Sequence, residues 1–253
     1  MHQLDLKSFE KNIQVRNITR EDYAAVVALQ LKCFEGMKPW TKEQFESQLT
    51  IFPEGQICIE YNNAIVASSS SLILNFDVYS EWHGWADATD RGFIRNHDPG
   101  GDTLYGIEIM VDPEFRGLKL ARRLYDARKQ LVKAKNLMRI ILGGRIPGYH
   151  KHAEQMSARE YVEKVTHKAL YDPVLTTQTS NGFVLKRLLP NYLSSDKESR
   201  GYATLLEWTN LDYVPTPHRT YVPTVPVRIC AVQYQVRMIS SFEDFATQCE
   251  YFV

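Results

Sequence analysis

LYGIEIMVDPEFRGLKLARRLYDAR, running from Leu104 to Arg128, changes its periodicity half-way. Alternation through Ile107, Glu108 and Ile109 reads as a strand that puts the glutamate on the face opposite its apolar neighbours. Pro113 stops that strand, Phe115-Arg116-Gly117 turns the chain, and Leu118 to Lys129 supplies a helix with apolar positions Leu120, Leu124 and Leu131. A helix N-terminus presents unpaired N–H groups and the positive end of a dipole, so this junction is a natural seat for phosphate. Arg116, Lys119, Arg122 and Arg123 surround the same spot. Taken alone, the pattern also suits an amphipathic helix with a solvated basic face.

Upstream, Ile13-Gln14-Val15-Arg16 alternates like a strand, and Thr19-Arg20-Glu21-Asp22 opens a helix with Ala25, Val26, Leu29 and Cys33 at helical spacing. A second helix is expected from Thr41, with Trp40 stapling onto Phe45 and Leu49. Residues 56–60 and 64–74 read as strands joined by a Tyr61-Asn62-Asn63 turn. Asn75 to Asp102 is too long for a hairpin loop and too aromatic for disorder. It is expected to be an ordered insertion near a substrate cleft, with a structural cover over the sheet as the alternative. Downstream, Met138 to Leu142 is a buried-strand pattern, and Gly143-Gly144 reads as a sharp exit turn. A helix from Ser157 to Ala169 follows, then one from Asp172-Pro173 to Asn181-Gly182, then strands at 183–189 and 202–208.

The segment VDPEFRGLKLARRL, Val111 to Leu124, resembles motif A of the GNAT N-acetyltransferases, where Arg/Gln-x-x-Gly-x-Gly/Ala follows a strand ending in Val-x-Pro. Here the pattern falls on Arg116-Gly117-Leu118-Lys119-Leu120-Ala121, with Lys119 at the usual central glycine. Helical φ/ψ at Lys119 would preserve the main-chain phosphate seat. Asn181-Gly182-Phe183 resembles the Gly-Phe that closes motif B. The resemblance covers residues 13–210 and implies an α/β (α+β) GNAT acyl-CoA N-acyltransferase fold, a mixed, mostly antiparallel sheet flanked by helices. It implies acetyl-CoA as cosubstrate, with pyrophosphate on Arg116, Gly117, Leu118, Lys119, Leu120, Ala121 and Arg122. Pantetheine would lie along Ile109, Met110 and Val111, where that strand splays from Met138 to Leu142. A backbone N–H near Ile109 or Met110 would polarise the thioester carbonyl.

The implied reaction is acetyl transfer to a primary amine by direct attack in a ternary complex; the absence of a cysteine near the motif favours direct attack. The alternative is a non-catalytic acyl-CoA-binding domain that regulates an attached hydrolase. Attack requires an amine that has lost its proton, and a carboxylate of raised pKa can take it. Glu108 is the candidate base, at a place where many enzymes of this type carry a glutamate; His97 and Asp98 are alternatives. The family's acid is a Tyr four residues before the motif B glycine, a position held here by Gln178. Tyr171 is therefore the candidate acid, with Tyr149 and Tyr192 as alternatives. A coenzyme A thiolate, of pKa roughly 8.5, also leaves unassisted.

Composition excludes several other classes. The chain has 253 residues with 44% hydrophobic and 24% charged content, ordinary for a soluble domain. Its formal net charge of +0 offers no global field for nucleic acid or anionic lipid. The N-terminus lacks a signal-peptide core, and no apolar run approaches ~18 residues. Cys33, Cys58, Cys230 and Cys249 are dispersed without metal or disulfide spacing, and His150-Lys151-His152 has no helix-borne Glu partner. The expectation is a cytoplasmic protein with no metal, no nucleic acid partner and no membrane partner.

The C-terminal region departs from this pattern. Residues 211–227 form a linker, with four prolines between Val214 and Pro226. Residues 228–253 then read as a strand and a helix resembling the first unit of the carbon-nitrogen hydrolases, the nitrilase and amidase family. That family's Glu-Lys-Cys triad lies further on, and this sequence ends at Val253. The expectation is a truncated two-domain protein in which the acetyltransferase domain contacts the hydrolase. The alternative is a strand and helix that complete the acetyltransferase domain.

Overall fold

The computed structural model describes residues 9–10, 12–34, 36–79, 83–215 and 241. A first compact unit takes in Met1–Val214; the second, Pro215–Val253, lies outside the described residues except for Pro215 and Ser241. Residues 228–253, for which a hydrolase-like strand and helix are expected, fall there too, with Cys230 and Cys249.

Seven strands form one sheet among the described residues. β1 (Ile13–Asn17), β2 (Ile57–Tyr61), β3 (Ala64–Leu74) and β4 (Thr103–Val111) pair antiparallel in that order. β4 then runs parallel to β5 (Arg139–Arg145), which pairs antiparallel with β7 (Ala203–Thr209), and β6 (Val184–Leu189) lies outermost. The sheet is mixed and mostly antiparallel, as expected.

Local chemistry accounts for most element boundaries. Helix α1 (Tyr23–Cys33) follows a 3-10 turn at Arg20–Asp22 that Thr19 and Asp22 cap. Helix α2 (Lys42–Ile51) begins at Thr41, whose hydroxyl accepts the Gln44 N–H at 3.2 Å while the Gln44 side chain accepts the Thr41 N–H at 2.8 Å. This reciprocal pair satisfies donors that a helix start leaves open. Asn62 and Asn63 take φ of 48° and 65°, the geometry of a two-residue hairpin turn. The described residues of the insertion include a 3-10 turn at Phe76–Tyr79 and a short helix α3 (Trp85–Thr89). His97 ties it to the sheet: its Nδ1 accepts the Ile73 N–H at 3.0 Å and its ring stacks on Phe52.

Three expectations need correction. Helix α4 (Leu120–Ala134) starts at Leu120, not Leu118, and its buried row is Leu120, Leu124, Tyr125, Arg128 and Val132. Gly143 and Gly144 do not turn the chain out of the sheet; they stay in β5 opposite Leu205 and Thr204. Their missing side chains make room instead. A Cβ at Gly143 would lie 2.1 Å from the Tyr192 ring, and one at Gly144 would lie 2.3 Å from the Gln178 amide. After α5 (Ala158–Thr166), helix α6 (Leu175–Ser180) starts later than Pro173, because Asp172 accepts the N–H groups of Val174 and Leu175 at 2.9 Å each. Gly182, at φ +83°, closes α6 as read from the sequence.

The core lies on both faces of the sheet. Leu72, Leu104, Ile140 and Leu206 are wholly buried, each contributing about 1.5–3 kcal/mol by leaving water. No helix among the described residues is long and apolar enough to cross a membrane.

Candidate active site

Asp112 fixes the orientation of the β4 edge. Its N–H donates to the Val66 carbonyl on β3 at 2.9 Å. Backbone groups alternate along a strand. Met110 and Glu108 therefore also face β3, while the N–H and C=O of Ile109 and Val111 face the opposite edge. β5 accompanies that edge only from Thr103 to Gly106 and then diverges. The Ile109 N–H is left facing the gap between the two strands. Of the two expected donors to a thioester oxygen, alternation selects Ile109 over Met110.

A bulge shapes this edge. Ser70 on β3 faces Glu108, but Ser71 faces Gly106, so Ile107 is an extra residue in β4. The Glu108 side chain is partly buried, and its Oε1 accepts the Trp40 Nε1–H at 3.2 Å and the Ser70 hydroxyl at 3.5 Å. Trp40, expected as a staple for α2, also stacks on Trp85 at 5.7 Å. The Trp85 indole N–H reaches the Ile107 carbonyl at 3.4 Å, so the insertion packs beside Glu108. Burial pushes the Glu108 carboxyl up to about 7, against the opposing pull of Trp40, Arg128 and Ser70. A carboxylate titrating there can accept a proton at neutral pH.

The turn after β4 is built from Asp112. Its carboxylate accepts the Glu114 N–H at 3.0 Å and the Lys32 ammonium at 2.7 Å, holding the 3-10 turn Pro113–Phe115 against α1. Gly117 has φ of +84°, and Lys119 has φ 59°, ψ 22°. Lys119 is therefore left-handed, which corrects the expected helical conformation; this geometry suits glycine because a Cβ crowds the backbone there. From Gly117 to Arg122 no N–H meets a backbone acceptor among the described residues; Arg123 is the first, bonded to the Lys119 carbonyl at 3.3 Å. Arg116, Gly117, Lys119 and Arg122 are exposed, Leu118 and Ala121 half-buried, and Leu120 buried. N–H groups at a helix start, several on exposed residues, fit a pyrophosphate, and a strand edge that β5 leaves after Gly106 fits pantetheine amides.

Lys119→Gly should relieve the left-handed strain and stabilise the fold by about 0.5–1 kcal/mol after the added backbone entropy. Thermal unfolding should then shift up by about 1–4 °C. An unchanged or lower midpoint would count against strain at this residue.

Other expected residues fall elsewhere. Tyr171 stands 70% exposed between α5 and α6, with no hydrogen-bond partner for its hydroxyl among the described residues. Tyr149 packs against Tyr161 and Tyr202. The Tyr192 hydroxyl bonds to that of Tyr105 at 2.8 Å, which bonds to His83 Nε2 at 2.9 Å, and burial holds the Tyr192 proton in place. Gln178 is buried on α6 against Gly144. Asp98 turns its carboxylate to the Gly100 N–H at 2.9 Å. Cys33, remote from the motif in sequence, lies at the end of β4 with its thiol donating to the Val111 carbonyl at 3.2 Å. Burial raises its pKa, which makes it a reluctant nucleophile. No group of three or more His, Cys, Asp or Glu among the described residues is placed to hold a metal ion.

A family description, acetyltransferase (GNAT) family, matches residues 23–156. The chain belongs to the acetyltransferase (GNAT) family. It is 40% identical over 217 residues to the uncharacterized N-acetyltransferase YkwB of Bacillus subtilis (strain 168), covering 84% of this chain and 95% of that protein. It is 53% identical over 251 residues to the probable hydrolase YhcX of the same organism, covering 99% of this chain and 49% of YhcX. The chain thus spans about half the length of YhcX. Among solved structures, the GphF GNAT-like decarboxylase in complex with isobutyryl-CoA superposes with a TM-score of 0.66 at 18% identity, covering 78% of this chain and 98% of that one. That likeness shows the GNAT fold. The family match and the N-acetyltransferase relative support acyl transfer in general.

Trp40, Trp85, Ser70 and Cys33 were not legible as site residues. Each reaches β4 from a distant segment, and no local spacing marks them.

Proposed function

We propose that this chain transfers acetyl from acetyl-CoA to a primary amine by direct attack in a ternary complex in the cytoplasm. The observation that carries the reading is Glu108, a carboxylate titrating near neutrality beside the unpaired Ile109 N–H. Bound acetyl-CoA supplies the thioester. The N–H groups of Gly117 to Arg122, with Arg116 and Lys119 nearby, would hold its pyrophosphate, and the Ile109 and Val111 edge would hold its pantetheine. Glu108 takes the ammonium proton of the acceptor, directly or through water, and Trp40 and Ser70 orient its carboxylate. The Ile109 N–H meets the negative charge that develops on the thioester oxygen. The amine nitrogen bonds to the acetyl carbon as the C–S bond breaks. The sulfur leaves as a thiolate of pKa roughly 8.5 without a resident phenol, and the second nitrogen proton passes to that thiolate or to solvent. Tyr171 is exposed, and Gln178 can donate a hydrogen bond but not a proton. Burial raises the Cys33 thiol, which disfavours a route through an acylated cysteine. The name of YkwB and the acyl-CoA bound to GphF support the donor and acceptor classes.

The second reading, a non-catalytic acyl-CoA-binding domain attached to a hydrolase, draws on Gln178 at the place of the family's acid and on the name of YhcX. Calorimetric titration of the full chain with acetyl-CoA, followed by thiol release with a panel of amines and peptides, separates the two. Binding at about 1–100 μM with amine-dependent thiol release is expected. Binding without release by any amine would favour the second reading, and no binding would overturn both.

A further inference from the structure

Arg128 is the largest wholly buried side chain described, at 1% exposure, and it makes no ion pair among the described residues. Both its hydrogen bonds go to main-chain carbonyls at the bulge: one Nη2 donates to Ser70 O at 2.7 Å and to Glu108 O at 2.5 Å, while its Nε–H has no partner. Gly106 leaves the space it occupies, since a Cβ there would lie 2.7 Å from Nη1. A buried cation with no carboxylate in ion-pair contact is expensive to keep even with the Glu108 charge nearby, and an apolar side chain of similar volume is the cheaper filling.

The peptide it touches explains the placement. Glu108 C=O and Ile109 N–H belong to one peptide unit and point in opposite directions. The carbonyl turns toward β3 and Arg128, and the N–H turns to the gap beside β5. We propose that Arg128 is a positioning residue for acyl transfer, gripping the Glu108–Ile109 peptide by its carbonyl so that the Ile109 N–H is aimed and polarised toward the thioester oxygen. This inference rests on the acetyl-transfer reading. A cation at the carbonyl end lies in line with the peptide dipole and draws electron density from the N–H, and hydrogen bonds in such a chain strengthen one another. The two carbonyls share one nitrogen, so the grip also holds the bulge in register with Ser70. Charge that develops on the thioester oxygen is met by a donor already oriented, and no reorganisation is needed during the reaction.

The test compares the full chain with Arg128→Gln, which keeps a donor but drops the charge, and Arg128→Met, which drops both. Each is bound to acetyl-CoA labelled with 13C at the thioester carbonyl and examined by infrared difference spectroscopy. The wild type should shift the bound C=O stretch to lower frequency than in free acetyl-CoA. The variants should return it toward the free value and lower kcat by about tenfold, with KM for acetyl-CoA within a few-fold. A merely structural arginine would leave the stretch of the bound thioester where it is. If Arg128→Met does not fold, Arg128→Gln carries the comparison. An unchanged stretch with kcat within about twofold would overturn the inference alone. A wild type that does not bind acetyl-CoA would overturn the acetyl-transfer reading, and this inference with it.

Discussion

Glu108→Gln lowers amine acetylation by about 100-fold or more, the usual range for loss of a positioned general base. The amide is nearly isosteric and its oxygen still accepts the Trp40 N–H, so affinity for coenzyme A should stay within a few-fold. The wild type should also show a rate that rises with pH and levels off above about 7, the value to which burial pushes this carboxyl. Below that pH the base is protonated and cannot accept the acceptor's proton. The variant should lack this limb. Stability moves the other way. The folded carboxyl has a pKa raised above its usual 4.5, so the folded state binds more protons than the unfolded state between those values. Stability is therefore lost as pH rises through the window from about 4.5 to 7. Glutamine removes that loss, and the variant should gain on the wild type in thermal unfolding at pH 8 relative to pH 4. Full turnover in the variant would remove Glu108 as the base and leave the acceptor's proton to solvent.

Arg145→Met should destabilise the fold by about 3–5 kcal/mol, because it strands a buried carboxylate. Arg145 leaves β5 just beyond the diverging gap. Its Nε and Nη2 each donate to Asp196 at 2.6 Å, and Nη2 also meets Glu198 at 2.8 Å. The Asp196 side chain is only 1% exposed. Thermal unfolding at pH 7 should fall by about 6–20 °C. Burial by itself would raise the Asp196 carboxyl, but the hydrogen bonds and charge of Arg145 outweigh it and hold the group below its usual 3.8. A depressed folded pKa contributes stability that is present above the unfolded value and lost as pH falls through the folded one. Without Arg145 burial raises that carboxyl, so the gap between wild type and variant should begin to narrow above the usual 3.8 and go on narrowing as pH falls, measured by unfolding scans from about pH 3 to 8. A loss under about 2 °C at pH 7 would show that the pair contributes no more than an exposed one.

The strand-turn-helix around Val111 to Leu124 was legible because its signals are local. Pro113 ends a strand, Gly117 turns, and Leu120 and Leu124 line one helical face within a few residues of each other. Glu108 was legible for the same reason, since alternation alone sets its face. Lys119 was misread as helical, because a lysine carries no sign that its place in the turn demands a left-handed backbone. Gly143-Gly144 was misread as an exit because glycine in a strand looks like a turn until the side chains that replace its Cβ are known. Those side chains, Tyr192 and Gln178, come from other elements.

The boundary between sequence and tertiary structure in this protein follows the range of the interactions. Capping, turn chemistry and apolar periodicity act over a few residues, so adjacent residues alone set the order of elements, the glycine turn before α4 and the candidate base. The raised carboxyl of Glu108 needs burial and an indole from Trp40; the choice of Ile109 over Met110 needs the pairing of Asp112 with Val66; and the charge behind that peptide comes from Arg128 across the sheet. These depend on register and desolvation, which exist only once distant segments have packed.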